Sequence, residues 1–345
     1  MGEERPGRTD AGLIGPGLSY GIQPGLRFAC ILDGRGGCRT LDFDELSRWT
    51  PEQGVIWVHL ERDAPEADAW LRAQSGIDSV NCDALLAVES RPRVEECGDA
   101  LLIVLRGVNR SEGSDALDLV PVHLWIDPHR VISLRDKDHY LMALRDIRET
   151  LVQGRGPKNA GELFVQIAEK VVRDIEPTVA NLEDEADELD DTLLEQDSYV
   201  CRGKLSDMRR NAIQLRRYMA PQREALFRLQ VEDVSWLSRR DKIRLREVTD
   251  RVMRHVENLD AVRDRATILH EDLAAQIAET HAKVSNRLTL IAAILLPPSL
   301  VAGLLGANVG GIPGTGQPWA FALVCVLVIL LFPLEIYVLR RLGWL

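Results

Sequence analysis

Several things are scarce in this sequence, and each scarcity removes a class of protein. The six cysteines (Cys30, Cys38, Cys82, Cys97, Cys201 and Cys325) form no C-x-x-C pair and lack zinc-ribbon spacing. Neither a structural zinc module nor a dithiol motif is therefore written here, and the thiols read as reduced and intracellular. There is no P-loop and no H-E-x-x-H, so nucleotide hydrolysis and zincin chemistry lack their parts. The chain reads as a non-enzyme with no resident cofactor. Residues 1–25 are rich in Gly, Pro and charge without an apolar segment, which makes them a weakly ordered arm rather than a secretory leader. A basic excess is missing too. The net charge of −11 argues against nucleic acid as a partner and for cations. Last, proline and glycine are absent from Ser238 to Leu296, and charge is absent from Leu288 to Val309 and from Trp319 to Leu334.

The two uncharged runs organise the rest. Leu288–Val309 has 22 residues, enough to cross a hydrocarbon core of about 30 Å as a helix. Only residues 310–318 separate it from the second run, so the pair is a hairpin of transmembrane helices, 288–309 and 319–339. Lys283 and Arg287 flank the first helix and Arg340 and Arg341 the second, which places both chain ends in the cytoplasm. Glu335, near the cytoplasmic end, reads as the partner of an interfacial arginine. Read back from the loop at intervals of three and four, Gly306, Gly303, Ser299, Leu296, Ala292 and Leu288 share one helix face. Small residues so spaced form either a helix-packing face or the wall of a narrow aqueous pore. Pro297 and Pro298 remove two backbone donors at membrane depth, which either reading accommodates.

The motifs around this hairpin carry a resemblance. Leu296-Pro297-Pro298-Ser299, Ala302-Gly303 and Gly306-Ala307-Asn308 resemble the CorA superfamily of divalent-cation transporters, with its Gly-Met-Asn or, in the zinc branch, Gly-x-Asn signature. Val309-Gly310-Gly311-Ile312-Pro313-Gly314, the closing Gly343-Trp344-Leu345, Trp57-Val58-His59-Leu60 and Arg217-Tyr218-Met219-Ala220-Pro221-Gln222-Arg223 are similar to the ZntB zinc transporters. Ala307 departs from the larger apolar residue usual there. The resemblance implies a homopentamer whose long helices form a funnel and pore, set in membrane lipid. Its cargo would be a divalent cation, zinc first and other divalent cations possible, with proton-coupled uptake. A ring of Asn308 side chains would hold the hydrated ion through its waters, a role compatible with Asn308 capping its helix. Leu288 and Leu296 would be hydrophobic constrictions, with Ala292, Ser299 and Gly303 also lining the pore. A magnesium, cobalt or nickel channel of the CorA type is the alternative, and a membrane-anchored sensor or scaffold stands behind it. The expected place is the cell inner membrane.

The remaining chain reads as a fold of the α+β class. Residues 26–153 interleave strands and helices in a cytoplasmic α/β domain, 160–237 form an acidic/basic helical hairpin, and 238–287 a stalk helix that runs into the membrane. A cytoplasmic tail of residues 340–345 closes the chain. His59, His123, Asp127, His129 and His139 are the metal-ligand candidates of the α/β domain. Asp127 and His129 also suit an ordinary turn, and His59 and His123 suit structural positions in strands. Asp174 to Asp197 holds 11 acidic residues and no basic ones, while Arg202 to Arg254 holds 15 basic and seven acidic. The two stretches are expected to pair, and the acidic one is also a candidate for gathering cations. Pro221 is expected to kink or end its helix.

Overall fold

The computed structural model describes residues 24–88, 91–111, 113–115, 117–192, 198–307, 316–341 and 343. The N-terminal arm lies almost wholly outside the described residues, as do Asn308 and the loop after it up to residue 315. The chain divides into two compact units, Met1–Thr267 and Ile268–Leu345.

The first unit is built on seven strands. β1 (Leu26–Leu32) and β2 (Cys38–Leu41) form a hairpin whose turn is tied by Asp33 Oδ1, which accepts from the amides of Arg35 (2.7 Å) and Gly37 (2.8 Å). β3 (Ile56–Glu61), β4 (Arg93–Cys97), β5 (Ala100–Val108), β6 (Leu119–Ile126) and β7 (Arg130–Arg135) complete a sheet in the order β2-β1-β3-β7-β6-β5-β4. Only β3 and β7 pair in parallel; the other neighbours are antiparallel. Every residue of β6 is buried. Its unbroken run LVPVHLWI, in place of an alternating one, is what a strand covered on both faces needs.

Helices cover both faces. α1 (Phe43–Leu46), α2 (Pro65–Ala73) and α3 (Ser79–Leu86) follow β2 and β3 in sequence. Ala67, Trp70, Leu71, Cys82 and Leu85 of α2 and α3 share a core with Val58, Leu60, Trp125, Ile132 and Leu134 of the sheet. The opposite face meets α5 (Ala160–Thr192), with α4 (Met142–Val152) packed beside it. α6 (Ser198–Val231) lies against α5 and the β4–β5 edge. Pro221 does not end this helix, which runs on to Val231. Loss of one helical hydrogen bond costs about 3 kcal/mol; the burial of Ala225, Leu226 and Leu229 beyond it offsets that. Gln222, fully buried, accepts the Arg106 amide at 2.7 Å. That amide lies past the last β4–β5 pair, Arg93–Val104, where no strand remains to satisfy it.

α7 (Arg239–Leu305) is one helix of 67 residues. Within the first unit it buries Leu245, Val248, Val252, Val256, Leu259, Val262 and Ala266, a regular three-and-four stripe. Ile243, which the spacing counts into this stripe, is instead 58% exposed, so the buried register starts at Leu245. In the second unit the chain is the remainder of α7 followed by α8 (Ala320–Arg341). Both helices are long and apolar enough to cross a membrane. The mixed α/β domain, the long helix and the terminal helix pair are the architecture expected from the sequence.

Candidate ion-conduction site

In the apolar part of α7, from Leu288 on, the covered or partly covered residues are Leu290, Ala293, Ile294, Pro297, Pro298 and Val301. On α8 they include Ala320, Val324, Val328, Leu331, Glu335 and Leu339. Each set recurs at three and four residues, as for two helices lying side by side. At 100° per residue the stripe singled out in the sequence lies on the opposite side of α7. Leu288 and Leu296 are 63% and 66% exposed, and Ala292, Ser299, Gly303, Gly306 and Ala307 are exposed with them. In one copy of the chain, then, the small-residue stripe is not the face turned to its own hairpin partner.

The helix keeps its course through Pro297 and Pro298, whose rings leave the carbonyls of Ala293 and Ile294 without helical donors. One turn on, the Ser299 hydroxyl donates to the Leu295 carbonyl at 2.6 Å. Its proton is spent inside the helix, and only its lone pairs remain for anything that passes. Regular helix stops at Leu305, where the Gly306 amide closes the last turn on the Ala302 carbonyl at 2.8 Å. The signature residues Gly306 and Ala307 thus sit at the helix terminus, and Asn308 lies outside the described residues. Glu335 departs from expectation. Among the described residues neither of its buried carboxylate oxygens has a hydrogen-bond partner, so the interfacial arginine pair read from the sequence is not formed within one chain.

The histidine candidates are not brought together. His59 pairs with Ser133 across β3 and β7 while His123 pairs with Leu134 across β6 and β7, and adjacent residues of β7 point to opposite faces. His59 Nδ1 is bonded to the Ser133 hydroxyl at 2.9 Å. Burial, helped by the charge of Arg135, holds its pKa well below the ordinary histidine value. His139 Nδ1 stands 3.4 Å from Asp136. Asp127 is spent on its own turn, accepting from the His129 and Arg130 amides, both at 2.9 Å, and pairing with the Arg130 guanidinium at 2.7 Å. Among the described residues no three His, Cys, Asp or Glu side chains gather as a metal site.

His123 still has a measurable consequence. Burial pushes its pKa down to about 4, against a smaller opposing effect of a hydrogen bond to the Leu85 backbone. A histidine depressed in the folded state is neutral there while the unfolded chain takes up the proton. Stability is therefore full above the unfolded value near 6.5 and falls as pH drops towards 4. The loss assigned to His123 between about pH 7.5 and about pH 5 is about 2 kcal/mol. His123→Asn should flatten the acid limb of a denaturation series by that amount, leaving the share of buried His59 and His255, both also depressed by burial.

The acidic helix finds its basic partner elsewhere than expected. It packs beside α6, while its carboxylates Glu169, Asp187 and Asp190 pair with arginines of α7 and its Lys170 pairs with Asp146 of α4. Glu169 holds Arg244 in a two-point contact at 3.0 and 2.7 Å, and Asp187 and Asp190 share Arg265. Arg216 of α6 pairs with Asp260 of α7 at 2.6 Å. The α5–α7 partners stand 75 to 78 positions apart in sequence, beyond the reach of any local charge pattern. Two carboxylates of the acidic stretch are thereby committed to structure. Others stay clustered: Glu183 is held above the usual carboxylate range by burial and by its neighbours Asp184 and Asp187.

Known proteins match this arrangement. The CorA-like Mg2+ transporter protein family matches residues 52–341. The divalent cation transporter CmaX of Pseudomonas aeruginosa is 36% identical over 330 residues, 94% of this chain and 98% of CmaX. The structure of full-length CmaX aligns with a TM-score of 0.81 at 34% identity, over 94% of this chain and 99% of that one. The CorA magnesium transporter of Methanocaldococcus jannaschii aligns with a TM-score of 0.76 at 20% identity, over 92% of this chain and 98% of its own. The ZntB cytoplasmic domain of Vibrio parahaemolyticus aligns at 0.65 and 20% identity, over 74% of this chain and all of that one. The last two likenesses are of fold alone, and the zinc branch is not singled out by them. With the family matched over most of its length and two membrane-competent helices at its end, the chain belongs to the CorA-like Mg2+ transporter family and is a membrane transporter of divalent cations.

Proposed function

We propose that the protein is a homopentameric pore of the inner membrane that passes zinc as a hydrated ion, selected at Gly306-Ala307-Asn308. The observation that carries this reading is the exposed stripe Leu288, Ala292, Leu296, Ser299 and Gly303, which faces away from the covered side of α7. A membrane helix that leaves its small and weakly polar residues uncovered supports an assembly in which copies turn that face to a common axis. Zinc without its water wants thiolate, imidazole or carboxylate in tetrahedral array, and between Leu288 and Leu334 the sequence offers only Cys325. Outer-sphere contact through water to the Asn308 amide suits that poverty of ligands. The absence of any acidic residue from Val309 to Trp319 favours zinc over magnesium within the family. The positive charges of Lys283, Arg287, Arg340 and Arg341 beside the two spans support a topology with both chain ends in the cytoplasm.

The test is ion uptake into proteoliposomes of the full-length protein, zinc against magnesium, with and without a pH gradient. Zinc flux that grows with an inward proton gradient and falls at least tenfold in Asn308→Ala supports the reading. Magnesium flux indifferent to the gradient makes the protein a magnesium channel. Absence of flux for both ions, in protein shown to be inserted, overturns the pore.

A further inference from the structure

The β1–β2 hairpin carries two of the cysteines, Cys30 and Cys38, whose spacing announces no motif. Its register sets Cys30 against Thr40 and Leu32 against Cys38. Residues two apart on a strand share a face, so both thiols lie on one side of the hairpin as diagonal neighbours. There the Cys30 thiol donates a hydrogen bond to the Cys38 sulfur. Cys30 is buried and Cys38 half-buried. Arg148 of α4 reaches the same side. Its guanidinium stands 5.0 Å over the ring of Phe28, two residues before Cys30, and has no carboxylate partner among the described residues.

These surroundings make the two thiols unlike. The bond from Cys30 holds Cys38 below the ordinary thiol range, and the charge of Arg148 helps, against burial and the charge of Asp33. The same bond and burial hold Cys30 well above that range. The accessible sulfur is thus the readier thiolate, which is the reactive form. Cys97 is also half-buried, but burial raises its pKa and its thiol donates to Asn81 at 3.2 Å. We propose that Cys38 and Cys30 form a peroxide-responsive dithiol, in which Cys38 meets the oxidant and Cys30 closes a disulfide. The Cys38 thiolate attacks one oxygen of hydrogen peroxide. An S–O bond forms, the O–O bond breaks, and the departing hydroxide takes up the proton Cys38 had released. The Cys30 sulfur then attacks the sulfenic sulfur. An S–S bond forms, the S–O bond breaks, and the oxygen leaves as water with the Cys30 proton. Two electrons pass from the sulfurs to the peroxide. β2 is an edge strand of four residues bonded only to β1, so the closer approach a disulfide needs displaces no other strand. No residue of the second unit takes part, and the chemistry is independent of the ion carried.

Trypsin cuts after Arg27, Arg35 and Arg39, which puts the two cysteines on separate peptides. Full-length protein in detergent is treated with a modest excess of hydrogen peroxide, blocked with iodoacetamide, digested and weighed by mass spectrometry. The expected product is the Cys30 and Cys38 peptides joined, two hydrogens lighter than the free pair and parted again by dithiothreitol. Cys97 should be recovered blocked. Cys30→Ser, whose hydroxyl can still donate to Cys38, should trap a Cys38 sulfenic acid that dimedone labels. Cys38→Ser should leave Cys30 unoxidised. Arg148→Gln should slow alkylation of Cys38 near pH 7 severalfold, because the thiolate share falls. An unchanged circular dichroism spectrum verifies that each variant folds, and the joined peptides of the wild type need no variant at all. Absence of those peptides, or oxidation of Cys97 ahead of Cys38, overturns the pair. A sulfenic acid that persists at Cys38 in the wild type removes Cys30 from the reaction, and unchanged alkylation in Arg148→Gln removes the arginine.

Discussion

Gly303→Leu is expected to bring divalent-cation flux to the background of empty liposomes while the protein folds and assembles as before. The two halves of that expectation rest on different facts. Within one chain, a Cβ at Gly303 would meet nothing within 4 Å, so the new side chain displaces no atom of its own protomer. Replacing a helical glycine should even stabilise the local helix, by up to about 1 kcal/mol. Any harm must therefore come from what surrounds the chain in the membrane. If the stripe faces a shared axis, one substitution puts a leucine from every copy into a stretch of the path otherwise lined by the small residues Ser299 and Gly303. Flux should then fall by well over tenfold with no change in detergent-resistant oligomer or thermal midpoint. If the stripe faces lipid, leucine is as much at home as its neighbours and flux is untouched. If it is a packing face between copies, the oligomer itself comes apart, because close approach of backbones needs small residues. The same substitution at Gly306 would not separate these cases. There a Cβ would lie 2.9 Å from the Ala302 carbonyl, a conflict inside the protomer.

That the sequence points to Gly303 at all shows which features can be read without coordinates. A membrane helix needs a run of apolar residues and a stripe at helical spacing, both local patterns, and α7 and α8 were legible for that reason. The buried strand β6, and β5 up to Arg106, were legible as apolar runs of the same kind. β4, Arg93–Cys97, was not: three of its five residues, Arg93, Glu95 and Glu96, are charged, and it holds its place as an edge strand by pairing with β5. α4 also escaped, although its buried Ala143, Leu144, Ile147 and Leu151 recur at helical spacing. The histidines misled for a different reason. Alternation along the β6–β7 hairpin brings side chains to one face only when their positions share parity, and His59 and His123 reach β7 at Ser133 and Leu134, one residue out of step. Charge composition foretold an acidic helix meeting a basic one, but the choice of α7 as its ion-pair partner is a matter of tertiary packing. So is the unpaired state of Glu335 in one copy, which no spacing announces.

Trp57→Ala should be among the most damaging single changes in the α/β domain, costing about 3–5 kcal/mol. Trp57 is fully buried near the start of β3, the strand that joins the β1–β2 hairpin to the rest of the sheet through its parallel pairing with β7. Its ring stands edge-on to Phe28 of β1 with centroids 4.6 Å apart, and its indole nitrogen donates to the Ser133 hydroxyl of β7 at 3.0 Å. One side chain thus bridges three adjacent strands, and its removal opens a cavity at the seam between hairpin and sheet. Ser133 also bonds His59 at 2.9 Å, so its hydroxyl keeps a partner when the indole goes. Most of the cost is therefore lost packing, and Trp57→Phe, which keeps one aromatic ring and gives up the N–H with the rest of the indole, should cost less, about 1–3 kcal/mol. In thermal denaturation of the full-length protein this corresponds to a fall of about 10 °C for alanine and a few degrees for phenylalanine. Equal losses in the two variants would mean that the hydrogen bond to Ser133, rather than the packed ring, fixes β3 against β7. The smaller loss for phenylalanine is the outcome the three-strand contact requires, because dispersion and apolar burial scale with the atoms kept, and phenylalanine keeps most of them.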